Sequence, residues 1–257
     1  MVIVALAAVT ALAWVYVLQL PASAVPAMSD ATSDMTMVAM EDALRPAIQP
    51  WGFATALTLF AMWAVMMVGM MTPSVAPMIL LYAAVGRKAG QDGAVFASTG
   101  WFFAGYLTVW VAFSALATGA QWALTQAALL TPMMAASSTI LGGAFLIGAG
   151  VFQWTPVKEA CLNACQAPLS FLMGHGGFRG DAAGAVRLGL SHGVYCLGCC
   201  FALMALLFVG GVMNVLWIAG LTIFIFLEKV IPAGRLIPRG SGALLIAAGL
   251  WLLFRGS

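Results

Sequence analysis

The sequence predicts an all-α fold, a polytopic transmembrane helical bundle of about seven spans that forms a single membrane domain over residues 1–257. Two observations carry this prediction. Hydrophobic residues make up 63% of the chain and charged residues only 7%, whereas soluble globular domains average roughly half and a quarter. The apolar stretches also follow one another with short polar breaks, so no segment could form a separate soluble core. The lipid bilayer is therefore the first expected partner.

Seven stretches have about the 20-residue length that a bilayer requires. The second is overlong and contains Pro73 and Pro77. Because proline removes a helical hydrogen bond, we expect this span to be broken near Pro73. The seven lie near residues 2–22, 52–85, 94–120, 136–154, 184–209, 214–230 and 241–254.

The first span raises the question of processing, because Ala22-Ser23-Ala24 resembles a signal-peptidase site. No positively charged residue precedes the apolar run, so we expect residues 1–24 to remain as a retained anchor helix. Residues 25–50 then form an outer, Met-rich polar segment. Residues 52–255 form the core helical bundle that carries the metal-site motifs.

The distribution of basic residues predicts that the N-terminus is cytoplasmic. With that orientation, eight basic residues fall in cytoplasmic loops or helix ends and two lie outside. Such an excess is typical of the cytoplasmic side of a membrane protein, and it agrees with an odd number of spans. The eight are Arg87, Lys88, Lys158, Arg179, Arg187, Lys229, Arg235 and Arg239; the two are Arg45 and Arg255.

Methionines cluster in two places. Thioethers are neutral, soft ligands that need no deprotonation, so clustered methionines suit Cu(I). A flexible linker would explain the first group equally well, and methionines that fill gaps between packed helices would explain the second. The outer segment carries Met28, Met35, Met37 and Met40, and the second span carries Met62, Met66, Met67, Met70 and Met71.

All five cysteines lie between residues 161 and 200. The first pair, Cys161 and Cys165, follows Thr155-Pro156, a favourable helix start, and its i, i+4 spacing places both sulfurs on one face. In this topology the cysteines face the cytoplasm or the inner half of the bilayer, where thiols stay reduced, so structural disulfides are not expected.

A histidine and three cysteines form one stripe on the fifth span. The residues His192, Cys196, Cys199 and Cys200 fall within about 100° of helical arc. Each cysteine alone could be a small buried hydrophobe, and His192 could simply bond a backbone carbonyl. Together with the first pair they favour a soft-metal site, because a coordinated thiol is deprotonated by the ion. Zinc is possible, but the abundance of methionine favours copper as Cu(I).

Charged and small residues surround these motifs. Lys158 and Arg187, at the cytoplasmic ends of the two cysteine-bearing helices, could offset the negative charge of thiolates. The pair Glu228-Lys229 ends the sixth span and is typical of an interfacial anchor, although Glu228 could instead be a hard ligand or a proton relay. Gly189 and Gly193 should let another helix approach closely. His175 lies in a glycine-rich turn and is not expected to be a ligand.

Four motifs in order resemble a bacterial group of predicted metal-binding integral membrane proteins, over roughly residues 52–250. They run from Trp63 to Pro73, from Phe152 to Pro168, from Gly189 to Cys200, and over Glu228-Lys229. The resemblance implies metal binding in the bacterial inner membrane, without a settled activity. This chain has Gly69-Met70-Met71-Thr72-Pro73 where the group often has Ala-Met-Met-x-Pro, which leaves the methionines in place.

We therefore predict a membrane protein that handles Cu(I), by transfer across the membrane or by delivery to a membrane cuproenzyme, with a periplasmic copper chaperone as another possible partner. It is not expected to be an enzyme, because no hydrolytic or phosphate-binding motif is present, and no basic run suits nucleic acid. In this hypothesis Met35, Met37 and Met40 capture the ion, Met66, Met67, Met70 and Met71 relay it, and Cys161, Cys165, His192, Cys196, Cys199 and Cys200 hold it.

Two other functions fit the same residues. In the first, Cys161, Cys165, Cys196 and Cys199 exchange disulfides and carry reducing equivalents across the membrane, which requires a pair of cysteines at bonding distance. In the second, the protein is an accessory or assembly subunit of a larger membrane oxidase or oxygenase, and its cysteines pack or bind metal structurally. Metal content and co-purifying partners distinguish these alternatives.

Overall fold

The computed structural model is a bundle of α-helices. It describes residues 2–32, 51–90, 92–131, 134–231 and 234–256, with residues 20–32 as backbone alone. Within these ranges the regular elements are all helices, beside one isolated bridge between Leu130 and Ala136. The predicted all-α class is confirmed. In chain order the helices are α1 (Val2–Thr32), α2 (Phe53–Lys88), α3 (Asp92–Gln126), α4 (Thr139–Phe152), α5 (Pro156–Gln166), α6 (Pro168–Gly174), α7 (Ala182–Ala205), α8 (Leu207–Gly210), α9 (Val215–Val230) and α10 (Leu236–Gly256).

Five helical stretches in the described part of the chain are long and apolar enough to cross a bilayer. Helices α4 and α5 meet at a bend of 67° and count as a sixth candidate, either a broken span or a re-entrant loop. Helix α9 has 16 residues, about 24 Å of helix, which is shorter than a hydrocarbon core of about 30 Å. The five are Val2–Gln19, Phe53–Lys88, Asp92–Gln126, Ala182–Gly210 and Leu236–Arg255.

Helix α7 lies at the centre of the packing. It packs most extensively on α3 and also on α5, while α3 packs on α2, α2 on α1, and α4 on α10. Glycines let the backbones of α3 and α7 meet: a Cβ atom at Gly105 would overlap the carbonyl of Val186, and one at Gly189 would overlap the carbonyl of Phe102. The close approach predicted at Gly189 is therefore present, and α3 is the partner helix.

The expected break near Pro73 is wrong, because α2 continues through Pro73 and Pro77 from Phe53 to Lys88. Pro73 has no N–H to donate to the carbonyl of Gly69, four residues earlier. The indole Nε1 of Trp14 donates to that carbonyl instead, at 3.2 Å. A hydrogen bond from α1 thus satisfies the carbonyl that the proline frees, and the helix does not need to break.

This compensation predicts an energetic coupling between Trp14 and Pro73. Trp14→Phe should lower the free energy of unfolding in detergent by about 1 kcal/mol, the net value of a typical hydrogen bond. In the Pro73→Ala background the restored N–H donates to the Gly69 carbonyl, so the same change should cost clearly less. A double-mutant cycle measured by thermal or denaturant unfolding tests this. Equal costs in the two backgrounds would contradict the explanation.

Candidate metal centre

Four thiols from two helices meet in the interior. Helix α5 begins as predicted, with the Thr155 hydroxyl accepting the N–H of Lys158, and it brings Cys165 against α7. There the Cys165 thiol interacts with the thiols of Cys196 and Cys199. The Cys200 thiol interacts with the same two groups. The three cysteines of α7 are fully buried, and all five cysteines of the chain are free thiols. We call Cys165, Cys196, Cys199 and Cys200 the thiol cluster.

Cys161 lies at the edge of the thiol cluster, one turn before Cys165 on α5. Like Cys165 it is partly buried, and its sulfur rests against the backbone of Gly198, where an added Cβ atom would come within 2.6 Å of it. Both cysteines of the predicted pair therefore face α7, but the structure brings only Cys165 among the other thiols.

Polar groups from two other helices contact the Cys196 sulfur, and both also form hydrogen bonds with a third helix. The ammonium of Lys229 on α9 donates to Cys196 Sγ at 2.9 Å and to the Ser74 hydroxyl of α2 at 3.3 Å. The Tyr106 hydroxyl of α3 is 3.1 Å from the same sulfur. It also donates to the carbonyl of Met71 at 3.3 Å. Cys196 is therefore the most densely contacted thiol of the cluster.

The interfacial role expected for Glu228 and Lys229 is wrong, because both side chains are buried and they do not pair with each other. The C-terminal turn of α9 is covered by α2 and α5, so these side chains do not reach headgroups or water. Glu228 instead accepts from the Lys158 ammonium at 2.6 Å, with both side chains 1% exposed. Lys158 also donates to the Cys199 carbonyl, at 2.5 Å.

The structure also changes which cations are available to the thiols. Lys158 and Lys229 lie at helix ends as expected, in the first turn of α5 and the last turn of α9, but both are buried. Lys158 pairs with Glu228, and Arg187 is exposed beside His175 in a polar surface cavity. Of these cations, Lys229 is the one that donates to a thiol of the cluster.

His192 lies beside the cluster in an aromatic enclosure. It is 3% exposed, and the ring centroids of Phe171, Tyr106 and Phe102 lie 5.0, 6.0 and 6.1 Å away. Its Nδ1 atom is buried without a hydrogen-bond partner. A buried ring nitrogen without a partner is unfavourable, so this atom is a candidate ligand. His175 ends α6, with Nδ1 2.8 Å from the Phe171 carbonyl.

The methionines predicted in the second span lie on the buried side of α2. All four predicted relay residues, Met66, Met67, Met70 and Met71, are buried. Met71 is the one whose contacts reach the thiol cluster, through Tyr106 at its carbonyl and through Ser74, whose hydroxyl is 3.9 Å from its sulfur. The predicted outer ligands Met35, Met37 and Met40 lie outside the described residues.

The thiols are close together but not arranged around a common point. Cys199 and Cys200 both direct Sγ at the carbonyl of Cys196, at 3.0 and 2.9 Å. Within the described ranges, no three His, Cys, Asp or Glu side chains already form a metal-holding group. Binding an ion here requires the thiols to leave these backbone contacts by rotation between staggered χ1 states.

Sequence reasoning missed three polar contacts of the centre: Lys229, Tyr106 and Ser74. Lys229 did carry a signal, because an ionisable residue within an apolar stretch is functional by default. The apparent pairing of Glu228 with Lys229 along the sequence hid that signal. Tyr106 and Ser74 contact Cys196 or its partners across 90 and 155 positions of sequence, and no local pattern indicates such contacts.

Comparison with known proteins gives one family. The family model PpoB2, described as a copper chaperone, matches residues 60–252, about three quarters of the chain. No curated protein and no solved structure matches the chain. The matched region contains the whole thiol cluster, His192, Lys229 and the methionines of α2.

Removing one partner of the buried ion pair of Lys158 and Glu228 should destabilise the protein strongly, whereas replacing both partners by apolar residues should be tolerated. Glu228→Leu alone should lower the free energy of unfolding by about 3–5 kcal/mol, because it leaves a buried ammonium unpaired. Adding Lys158→Met should recover most of that loss. Glu159→Gln, which breaks an exposed pair with Arg235, should cost less than about 1 kcal/mol. Thermal unfolding in detergent measures all three, and additive losses in the double variant would contradict this role.

Proposed function

The chain belongs to the PpoB2 family of copper chaperones, and from this membership we propose that it binds copper as Cu(I) inside the membrane and passes it to another protein. The observation that carries the proposal is the thiol cluster, in which a cysteine of α5 meets three cysteines of α7. Thiolates are soft ligands and select Cu(I), zinc or iron–sulfur clusters. Among these ions, copper is the one that the family description names.

The proposed ligands come from the four thiols of the cluster, with His192 as an additional neutral ligand. His192 Nδ1 is buried without a partner and lies one helical turn from Cys196. Cys161, at the partly exposed edge of the cluster, is placed to accept or release the ion. Cu(I) moving between two- and three-coordinate arrangements changes one ligand at a time, so such transfer requires no energy source.

The methionines of α2 provide a route for the ion. About one and a half turns on the buried side of α2 carry Met66, Met67, Met70 and Met71. Met71 adjoins the residues that contact Cys196. With the N-terminus cytoplasmic, this helix runs from the outer to the inner side. Ions captured by Met35, Met37 and Met40 would then pass along α2 to the thiols. The recipient is a membrane cuproenzyme of the bacterial inner membrane, and a periplasmic copper chaperone is another partner.

Thiol-disulfide exchange is a second candidate function, and one observation favours it. The Cys165 thiol interacts with Cys196 and Cys199, so a bond between α5 and α7 would join neighbouring sulfurs. A redox conduit also needs exchange partners on both sides of the membrane, and it gives the buried methionines of α2 no role. Metal content distinguishes the two functions.

Copper content tests the thiol cluster. Purified under reducing conditions and offered Cu(I), the wild-type protein should hold stoichiometric copper by mass spectrometry. Cys196→Ser/Cys200→Ser should lose most of it, because a hydroxyl is a poor ligand for a soft ion. Cys161→Ser, the matched control at the cluster edge, should keep the ion. A wild-type protein without copper would contradict the proposal and direct attention to thiol redox titration.

Transfer kinetics test the methionine route. Met66→Leu/Met70→Leu conserves volume, so the fold should be retained, and the copper content at equilibrium should be unchanged. Uptake of Cu(I) from the outer side of oriented vesicles should be slower, because two thioethers are missing from the route. Met78→Leu, another buried position of α2, is the control and should take up copper at the wild-type rate. Equal uptake rates for both variants would refute a relay.

A further inference from the structure

Lys229 is a buried cation that no described carboxylate neutralises. Its side chain is 5% exposed, and its hydrogen bonds go to Cys196 Sγ and the Ser74 hydroxyl. The neighbouring Glu228 is already paired with Lys158. The remaining described acids, Asp92, Glu159 and Asp181, form no ion pair with Lys229.

The groups that face the ammonium come from three helices, and none of them is a carboxylate. They are Ser74 of α2, Tyr106 of α3, and His192, Cys196, Cys199 and Cys200 of α7. An uncompensated charge in a low-dielectric interior is strongly unfavourable. A charged Lys229 is therefore stabilised by thiolates of the cluster, which are the groups that bind the ion.

We propose that Lys229 is the counter-cation of the bound ion and fixes the net charge of the bound complex at one negative charge. Cu(I) held by two thiolates carries one net negative charge, and one ammonium cancels it. Zn(II) held by three thiolates carries the same single charge, whereas Zn(II) held by four thiolates carries two negative charges, which one ammonium leaves half compensated. The ammonium therefore sets how many thiolates each ion takes, two for Cu(I) and three for Zn(II).

The same charge argument limits the ligand set. A third thiolate would leave one uncompensated negative charge, so a third ligand of Cu(I) should be neutral. His192 Nδ1 and the Met71 thioether are the neutral soft or borderline donors near the cluster. This inference rests on the proposed copper function and adds to it the residue that compensates the bound ion and the charge of the bound complex.

Two pairs of variants test whether metal affinity depends on the charge of the site and not on its shape. Lys229→Gln removes the charge but keeps a donor and adds no soft ligand, whereas Lys229→Arg keeps the charge. Ser74→Asp places a carboxylate beside the Lys229 ammonium and leaves the lysine in place, and Ser74→Asn is its isosteric neutral control. The affinity of each purified protein is measured by competition with a chromophoric Cu(I) chelator and, separately, with a Zn(II) chelator.

We expect Lys229→Gln and Ser74→Asp to weaken the binding of both Cu(I) and Zn(II) by about tenfold or more, as for loss of one partner of a buried charge pair. Lys229→Arg and Ser74→Asn should keep both affinities within about threefold of the wild type, well under the effect of an uncompensated buried charge. X-ray absorption of the wild-type protein should show two Cu–S(thiolate) contacts.

Several results would overturn the proposal. One is a folded Lys229→Gln protein that binds Cu(I) like the wild type. Another is an equal loss of affinity in Lys229→Gln and Lys229→Arg, because that indicates a structural role. If Lys229→Gln does not fold, the comparison of Ser74→Asp with Ser74→Asn decides alone, and equal affinities would refute the counter-cation. A wild-type protein that binds no Cu(I) would instead overturn the proposed function itself and this inference with it.

Discussion

A charge inside an apolar helical bundle must be compensated where it lies, and two buried lysines organise the interior of this bundle around that constraint. Lys158 of α5 joins the Glu228 carboxylate of α9 and the Cys199 carbonyl of α7 with short hydrogen bonds. It therefore fixes three helices at one point. Because the Glu228 carboxylate is already paired with Lys158, the second lysine, Lys229, contacts thiols of the cluster and no described carboxylate. The charge balance of the thiol cluster therefore depends on the pairing of Glu228 with Lys158.

The backbone is subject to the same constraint, because lipid offers no hydrogen bonds. Pro73 frees the carbonyl of Gly69, and the indole of Trp14 on α1 donates a hydrogen bond to it. Helix α2 therefore stays continuous and carries its methionines on its buried side. Because Gly105 and Gly189 have no side chains, the backbones of α3 and α7 come into direct contact. The close contact of these two helices brings Tyr106 to the sulfur of Cys196.

The thiol cluster itself depends on the bend between α4 and α5. A straight continuation of α4 would carry Cys161 and Cys165 away from α7, whereas the 67° bend lays α5 along the cysteine stripe. Two of the thiols then rest on a backbone carbonyl instead of pointing at a common centre. A centre whose thiols must rotate to bind an ion can also release it by the reverse rotation, which suits a copper chaperone.

Sequence alone determined the helical class, the start of α5 at Thr155 and the stripe of His192, Cys196, Cys199 and Cys200, because apolar content, helix capping and helical periodicity are local properties. It also placed Cys165 on the same face as Cys161. It could not determine that Pro73 leaves α2 unbroken, that Glu228 pairs with Lys158, or that Lys229 and Tyr106 reach Cys196. Those outcomes depend on which side chains from distant helices share a low-dielectric interior, where each freed carbonyl and each charge takes the nearest available partner. Only the tertiary packing decides which partner that is.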